Sequence, residues 1–419
     1  MTRVLALSNM YPPHSYGGGY ELSCRDVMER FRERGHDTAV LTTTMRVPGV
    51  RDDPDEIANG VWRDLRFAWD DHVLLSPNVA RRLIDERHNQ RCLARALDRF
   101  EPEVVSVWNM GAMSLGLLTT LARRRIPVVL NICDEWPEYG PRLDPWARLF
   151  ADRPPIVGRI ANLVTRVPAG LPDLSAFCAV YVSAFTRDKN LKYSRMHPDF
   201  GAVVWSGIDE RDFPLAPEAQ GRDRPWRWRL LGVGRIDDRK GIEVAVRALA
   251  LLPEEATLRW IGRGEEHEKA RLTALAADLG VANRLSWDEM PRDQLRAAYA
   301  EADVFVFPSV WDEPFGLVPI EAMANNVPVV GSGTGGSSEF MLDGATAVLA
   351  AAGDPSALAN AVRRLAADDA LRARVVAGGR VVASELTIEH LVDNLEQWHT
   401  RAATGFAAGR PAPRALQLN

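Results

Sequence analysis

Short apolar and β-branched runs alternate with amphipathic stretches from one end of the chain to the other. Strands separated by helices form parallel sheets with helices on both faces, so the pattern predicts an α/β architecture. Residues 3–10 read as a first strand, 21–34 as a helix closed by Gly35, and 38–44 as a second strand, together one βαβ unit. Further strands are expected at 104–110 and 128–133. Residues 77–100 read as a long helix in which Arg81, Arg82, Arg87, Arg91, Arg95 and Arg99 are interspersed with Asp85, Glu86 and Asp98, the pattern of a solvated face. The segment 216–228, rich in Pro, Gly and charge, lies between strand-like runs at 203–208 and 229–234 and marks a domain boundary. Beyond it the alternation restarts, with strands expected at 229–234, 257–262, 285–290, 304–308 and 327–331. The expected fold is two Rossmann-like, doubly wound domains, 1–214 and 215–387, facing a central cleft, because open α/β sheets take ligands beyond the carboxyl ends of their strands. A last helix is expected at 388–403, and the tail 404–419 is expected to be disordered.

Composition narrows the function. A length of 419 residues fits two or three domains. No stretch approaches the roughly 20 uncharged apolar residues of a spanning helix, and no secretory leader is visible, so a cytoplasmic protein is expected. With 51 Lys and Arg against 56 Asp and Glu, the net charge of -5 gives no bulk attraction to nucleic acid. Cys24, Cys92, Cys133 and Cys178 form no CxxC pair, which argues against a metal or disulfide framework. Asp53-Pro-Asp55 has DxD spacing but sits in a charged loop, as a solvated turn would, so no metal site is expected.

Three segments carry candidate chemistry. After the first strand, Gly17, Gly18 and Gly19 lead into a helix, where backbone can approach an anion and helix-terminal N–H groups are free; a flexible βα turn would look the same. The second domain opens with a strand, a glycine turn, then Arg235 and Lys240, two cations placed as a diphosphate leaving group requires, or as two exposed turn residues. Glu313 and Glu321 straddle a turn that becomes a helix near Leu317, so Glu321 lies one turn inside while Glu313 stays on the loop. The amides of Phe315, Gly316 and Leu317 lie between them, an arrangement suited to a ligand with hydroxyls at both ends and phosphate in the middle.

In order and separation, the GRxxxxKG segment at 234–241, the ExxxxxxxE segment at 313–321 and the loop Gly333-Thr-Gly-Gly-Ser-Ser-Glu339 resemble the retaining GT-B glycosyltransferases of family 4. The resemblance implies that Arg235 and Lys240 hold the donor diphosphate, Glu313 the donor sugar hydroxyls, Glu321 the ribose, and the amides of Phe315, Gly316 and Leu317 the phosphate or sugar. It further implies that Gly17 to Gly19 close on the donor from the N-terminal, acceptor-binding domain, and that the last helix packs back onto that domain. The donor would be a UDP-, GDP-, ADP- or TDP-sugar, used as substrate without a cofactor or metal, and the acceptor a small molecule, glycan or lipid.

Where relatives often carry His-Asp at the end of an N-domain strand, this chain has Cys133-Asp134, leaving Asp134 as the catalytic candidate there and Cys133 as a small buried residue. The Trp-, Pro- and Arg-rich segment 135–173 reads as an irregular lid over the acceptor side, with peripheral membrane contact through Trp146, Leu149, Phe150 and the spaced arginines as the other reading. Alternatives to transfer are an epimerase or phosphorylase on the same fold, or a catalytically silent nucleotide-sugar-binding homologue. An NAD oxidoreductase ranks last, because the first βα turn lacks GxGxxG.

Overall fold

In the computed structural model the chain divides into two compact units, Met1–Trp205 with Leu391 onward, and Ser206–His390. The structure describes residues 1–16, 18–70, 73–217 and 225–407. Most of the boundary segment read from composition, 218–224, therefore lies outside the described residues, as does Gly17.

The first unit contains β1 (Arg3–Leu7), α1 (Gly19–Glu33), β2 (Asp37–Thr43), β3 (Val61–Leu65), a small antiparallel pair β4 (Trp69–Asp70) and β5 (Val73–Leu74), α2 (Val79–Phe100), β6 (Val104–Val107), α3 (Gly116–Arg123), β7 (Val128–Ile132), α4 (Trp136–Leu143), α5 (Pro155–Thr165), β8 (Cys178–Tyr181), α6 (Ala184–Tyr193) and β9 (Phe200–Val203). Its seven-stranded sheet has the order β3-β2-β1-β6-β7-β8-β9. Every neighbouring pair is parallel, with Leu5 opposite Ala39 on one side and Val105 on the other. The central strands are buried along nearly their whole length, which is why they read as continuous apolar runs.

The second unit contains β10 (Arg229–Val233), α7 (Ile242–Leu251), β11 (Thr257–Ile261), α8 (Glu266–Asp278), β12 (Leu285–Asp288), α9 (Leu295–Glu301), β13 (Val304–Phe307), α10 (Leu317–Ala324), β14 (Val329–Gly331), β15 (Val348–Leu349), α11 (Pro355–Ala367) and α12 (Asp369–Glu385). The order β12-β11-β10-β13-β14-β15 is again parallel throughout. In both sheets the strand order reverses beside the unit's first strand, between β1 and β6 and between β10 and β13. Those reversals are where open α/β sheets place ligands.

Three boundaries differ from the sequence reading. The units divide at 205/206 rather than 214/215, because the chain from Ile208 onward already binds the second unit. Ile208 exchanges backbone hydrogen bonds with Leu386 and Ile388, Phe213 packs edge-on against Tyr299, and the Ala216 amide donates to the Ala324 carbonyl. The strand expected at 203–208 is β9, Phe200–Val203, in the first sheet. The last helix, α13 (Ile388–Ala407), runs past the expected end into the segment expected to be disordered, and 408–419 lie outside the described residues. From Leu391 it joins the first unit, where Arg34 pairs with Asp393 (2.7 Å) and Glu396 (3.0 Å) and His399 packs edge-on against Phe31.

Candidate active site

The carboxyl end of β10 passes through Gly234 and Arg235 into a one-turn helix, Asp238–Lys240, capped by the Asp237 carboxylate accepting from the Arg239 amide at 3.0 Å. Gly241 closes the turn at φ 65, and a Cβ there would lie 1.9 Å from the Pro308 carbonyl oxygen, so the turn presses directly on the loop after β13. The Val310 amide donates to the Arg239 carbonyl, fixing the two loops together. A third loop, after β14, joins them: the Gly336 amide donates to the Glu313 carbonyl at 2.6 Å, and the Thr334 hydroxyl to the Trp311 carbonyl at 2.7 Å. The three motifs that lie far apart in sequence thus meet at the carboxyl ends of adjacent strands.

Glu313 is 4% exposed, and its Oε1 takes both the Lys240 ammonium at 2.6 Å and the Ser309 hydroxyl at 3.0 Å. The sequence reading placed Lys240 and Glu313 at different parts of a donor; the structure pairs them, because a carboxylate this deeply buried needs a cation and β10 lies next to β13. Trp311 lies against the Arg239 guanidinium and the Lys240 ammonium, 4.9 and 5.9 Å from its ring centre. Arg235 is half-exposed, with Asp237 3.8 Å away. Burial pushes the Asp237 carboxyl up, but the Arg239 hydrogen bond and the charges of Arg239, Arg235 and Lys240 outweigh it and hold the carboxyl below its ordinary range.

Gly316 is the N-cap of α10 and provides no side chain to its first amides; Leu317 opens the helix, and Phe315 is buried against Phe340. Glu321 lies one turn inside, as its position predicted, and is fully buried. Tyr299 donates to its Oε2 at 2.9 Å, and an Arg292 Nη1 lies 3.0 Å from its Oε1. Arg292 also stacks over Phe213 and lies 3.3 Å from Asp212. Burial, then the Glu321 charge, hold the Tyr299 phenol well above its ordinary range, so it remains a donor. Sequence reasoning missed Arg292 and Tyr299. A carboxylate on the apolar run around Ile320 announces that donors are needed, but not which ones.

In the first unit Asp134 follows β7. Its Oδ1 accepts from the Trp136 amide at 2.8 Å and its Oδ2 from the Tyr139 hydroxyl at 2.7 Å, so both oxygens serve the turn into α4. Burial raises its pKa to about 7 against those two bonds, with Glu135 and Glu21 adding to the rise. Burial, then Asp134 and Glu21, push the Cys133 thiol well up, away from a thiolate. At the start of α1, Gly18 is the N-cap and Gly19 the first helical residue. The buried Glu21 carboxylate folds back so that a Cβ on Gly18 would lie 2.3 Å from its Oε2. The anion at this helix start is the chain's own.

Asp53 and Asp55 form an exposed turn in which Asp53 Oδ1 accepts from the Asp55 amide. Between α4 and β8, Trp146 is buried, donates to the Pro168 carbonyl and packs on Phe150. The two aromatics expected to make membrane contact are therefore packed on each other. The exposed apolar side chains are instead Ile156, Ile160, Leu163 (81%) and Val164 (76%) on one face of α5, whose only buried residue is Gly158.

Comparison with known proteins identifies a family and a fold. Residues 222–382 match the family described as glycosyl transferases group 1, and residues 18–169 match the glycosyl transferase 4-like domain. The chain is 31% identical, over 72% of its own length and 75% of the relative's, to a GDP-mannose-dependent alpha-(1-6)-phosphatidylinositol monomannoside mannosyltransferase of Mycolicibacterium smegmatis. Among solved structures, sucrose-phosphate synthase from Thermosynechococcus elongatus superimposes with a TM-score of 0.69 at 20% identity, covering 97% of this chain and 100% of that one. Anabaena Alr3699/HepE in complex with UDP and glucose does so at 0.67 and 18%, covering 95% and 99%.

Proposed function

Because the chain belongs to the group 1 glycosyltransferases of family 4, with the GT-B fold, we propose that it moves a sugar from a nucleoside-diphosphate sugar to an acceptor hydroxyl with retention of anomeric configuration and without a metal. The observation that carries this reading is the Lys240–Glu313 pair beside Arg235 at the β10/β13 reversal. Arg235 and Lys240 stabilise the departing diphosphate, and the free amides at the start of α10 receive phosphate or sugar oxygens. Glu313, relieved of Lys240 when the diphosphate takes that cation, accepts from donor sugar hydroxyls. Glu321, positioned by Tyr299 and Arg292, receives the ribose. The acceptor hydroxyl attacks the face the diphosphate leaves, and a phosphate oxygen takes its proton, so no protein nucleophile is needed. Asp134 orients the acceptor side from the end of β7.

Calorimetric titration with UDP, GDP, ADP and TDP identifies the base. Glu321→Gln then weakens nucleotide binding while Glu313→Gln spares it and impairs transfer; equal losses in both would refute the assignment of the two carboxylates. Turnover is expected to survive EDTA and to give product of the donor's anomeric configuration by NMR. Inverted product, or activity abolished by chelation and restored by magnesium or manganese, would overturn the reading. Donor turnover without acceptor, or consumption of inorganic phosphate, would instead support an epimerase or phosphorylase.

The apolar face of α5, with the exposed Arg153, Arg159 and Arg166 alongside, supports an acceptor presented at an anionic membrane surface from the cytoplasmic side. The relative named for a phosphatidylinositol mannoside is consistent with this. No helix among the described residues is long and apolar enough to cross a membrane.

A further inference from the structure

A cavity of about 690 Å³ opens in the first unit at the carboxyl ends of β2, β3 and β6, lined among others by Thr44, Phe67, Ser76, Arg82, Ser114 and Trp146. Its size fits a small polar ligand, and its place at the strand ends is where this class of sheet takes one. Arg82 lines it, and Arg148 reaches it through the lining residue Ser76. Arg82 donates from Nε to the Pro77 carbonyl at 2.6 Å and from Nη1 to the Pro145 carbonyl at 3.0 Å. Arg148, three residues beyond Pro145, donates to the Ser76 hydroxyl at 2.9 Å, next to Pro77. The two guanidiniums therefore bridge the same pair of backbone segments.

Three of the lining carboxylates are already engaged. Asp85 pairs with Arg66 and Arg81. Asp144 spends its oxygens on the amides of Leu115, Trp146 and Ala147. Burial, with Asp144 nearby, raises Glu86 to about 8, while Ser114 and Gln90 donate to it. Burial, then the charge of Arg148, holds Arg82 below its ordinary range, and the Asp144 charge offsets them only in part. Arg82 also sits in the first turn of α2, where no acidic residue offsets the helix's positive end. The sequence reading had placed Arg82 on a solvated face.

We propose that this cavity is the acceptor subsite and that it takes a phosphate ester of a polyol, the phosphate lying between Arg82 and Arg148 and the ring over Phe67 and Trp146. The inference rests on the glycosyltransferase reading only in calling the ligand an acceptor. A soluble polyol phosphate and a phospholipid headgroup present the same chemistry.

Isothermal titration of the full chain with glucose 6-phosphate and myo-inositol 1-phosphate, against glucose and myo-inositol, tests it, alongside sedimentation with phosphatidylinositol vesicles. At least one phosphate ester, free or in the vesicle, should bind, and Arg82→Gln and Arg148→Gln should each weaken it about tenfold or more, as loss of one charge-assisted partner predicts. Affinity for the nucleoside diphosphate should not change. Binding of the soluble esters alone identifies a free phosphate, and binding only in vesicles, lost with Arg82→Gln, a headgroup. Vesicle binding that responds to Leu163→Glu but not to Arg82→Gln counts against the subsite, as does binding of no phosphate ester or unchanged affinity in both arginine variants. If the variants melt early, phenylglyoxal modification of the unaltered protein decides: the ester should protect Arg82 and Arg148, and absence of protection would overturn the assignment. Loss of nucleotide binding or transfer bears on the glycosyltransferase reading, not on this one.

Discussion

Lys240 has two tasks that a single alanine substitution removes together. It supplies a cation to the diphosphate, and it neutralises a glutamate that is 4% exposed. Lys240→Ala should cut turnover by about 10²-fold and also lower stability by about 3–5 kcal/mol, because Glu313 is left buried without a counter-charge. Adding Glu313→Gln should recover much of the melting temperature and none of the activity; a double variant no more stable than the single one would show that the pair does not hold these loops. Arg235→Ala, at a half-exposed site, should give a similar loss of turnover with an unchanged melt. Asp134 invites a pH test. Its folded pKa, about 7, lies above the unfolded carboxyl value, so the folded state binds the extra proton and stability falls as pH rises from about 4 to 7. Asp134→Asn has no such loss, and its melting temperature relative to the unaltered protein should rise between pH 5 and pH 8. Parallel melting curves would remove that argument.

At the scale of elements, α13 is tied to the first unit through a buried histidine. Burial lowers His399 to about 4, while its Nδ1 donates to the Leu395 carbonyl at 2.6 Å. A depressed folded pKa contributes stability above the unfolded value near 6.5 and loses it as pH falls toward 4. His399→Phe should flatten that acid limb in the melting profile; an unchanged limb would place the acid sensitivity elsewhere. For α5, Leu163→Glu with Ile160→Glu should abolish sedimentation with anionic vesicles while leaving transfer to a soluble acceptor intact. The elements legible in the sequence were those with a full period on display: β1 and α1, the long α2, and β10 through β14. β3 escaped notice because Arg63, which pairs with Glu56 and reaches the Tyr11 and Pro12 carbonyls, interrupts its apolar pattern. β8 was also not read, and β15, at two residues, is too short to show a period. The motif residues of the second unit were legible, since their spacing is local. Their partners Arg292 and Tyr299 were not, because they lie some 20 to 30 residues away and are brought to Glu321 by the fold.

For the whole molecule, the two units draw differently on the chain. The second is one continuous stretch, Ser206–His390, whereas the first is assembled from Met1–Trp205 and the final helix. A chain ending at residue 390 should keep a second unit that melts as it does in the full protein, while the first loses the Phe31–His399 packing and the Arg34 ion pairs and melts lower. Limited proteolysis resolved by mass spectrometry would check this, and early cleavage within 206–390 instead would contradict it.

That discontinuity sets a timetable during synthesis. The ribosome delivers both the sheet and the helices of the first unit early, yet the face around Phe31 and Arg34 waits for α13 until the whole of the second unit has been translated. The later-made unit is therefore the first that can be completed, and the amino-terminal one stays open, a client for holding chaperones, until the last helix emerges.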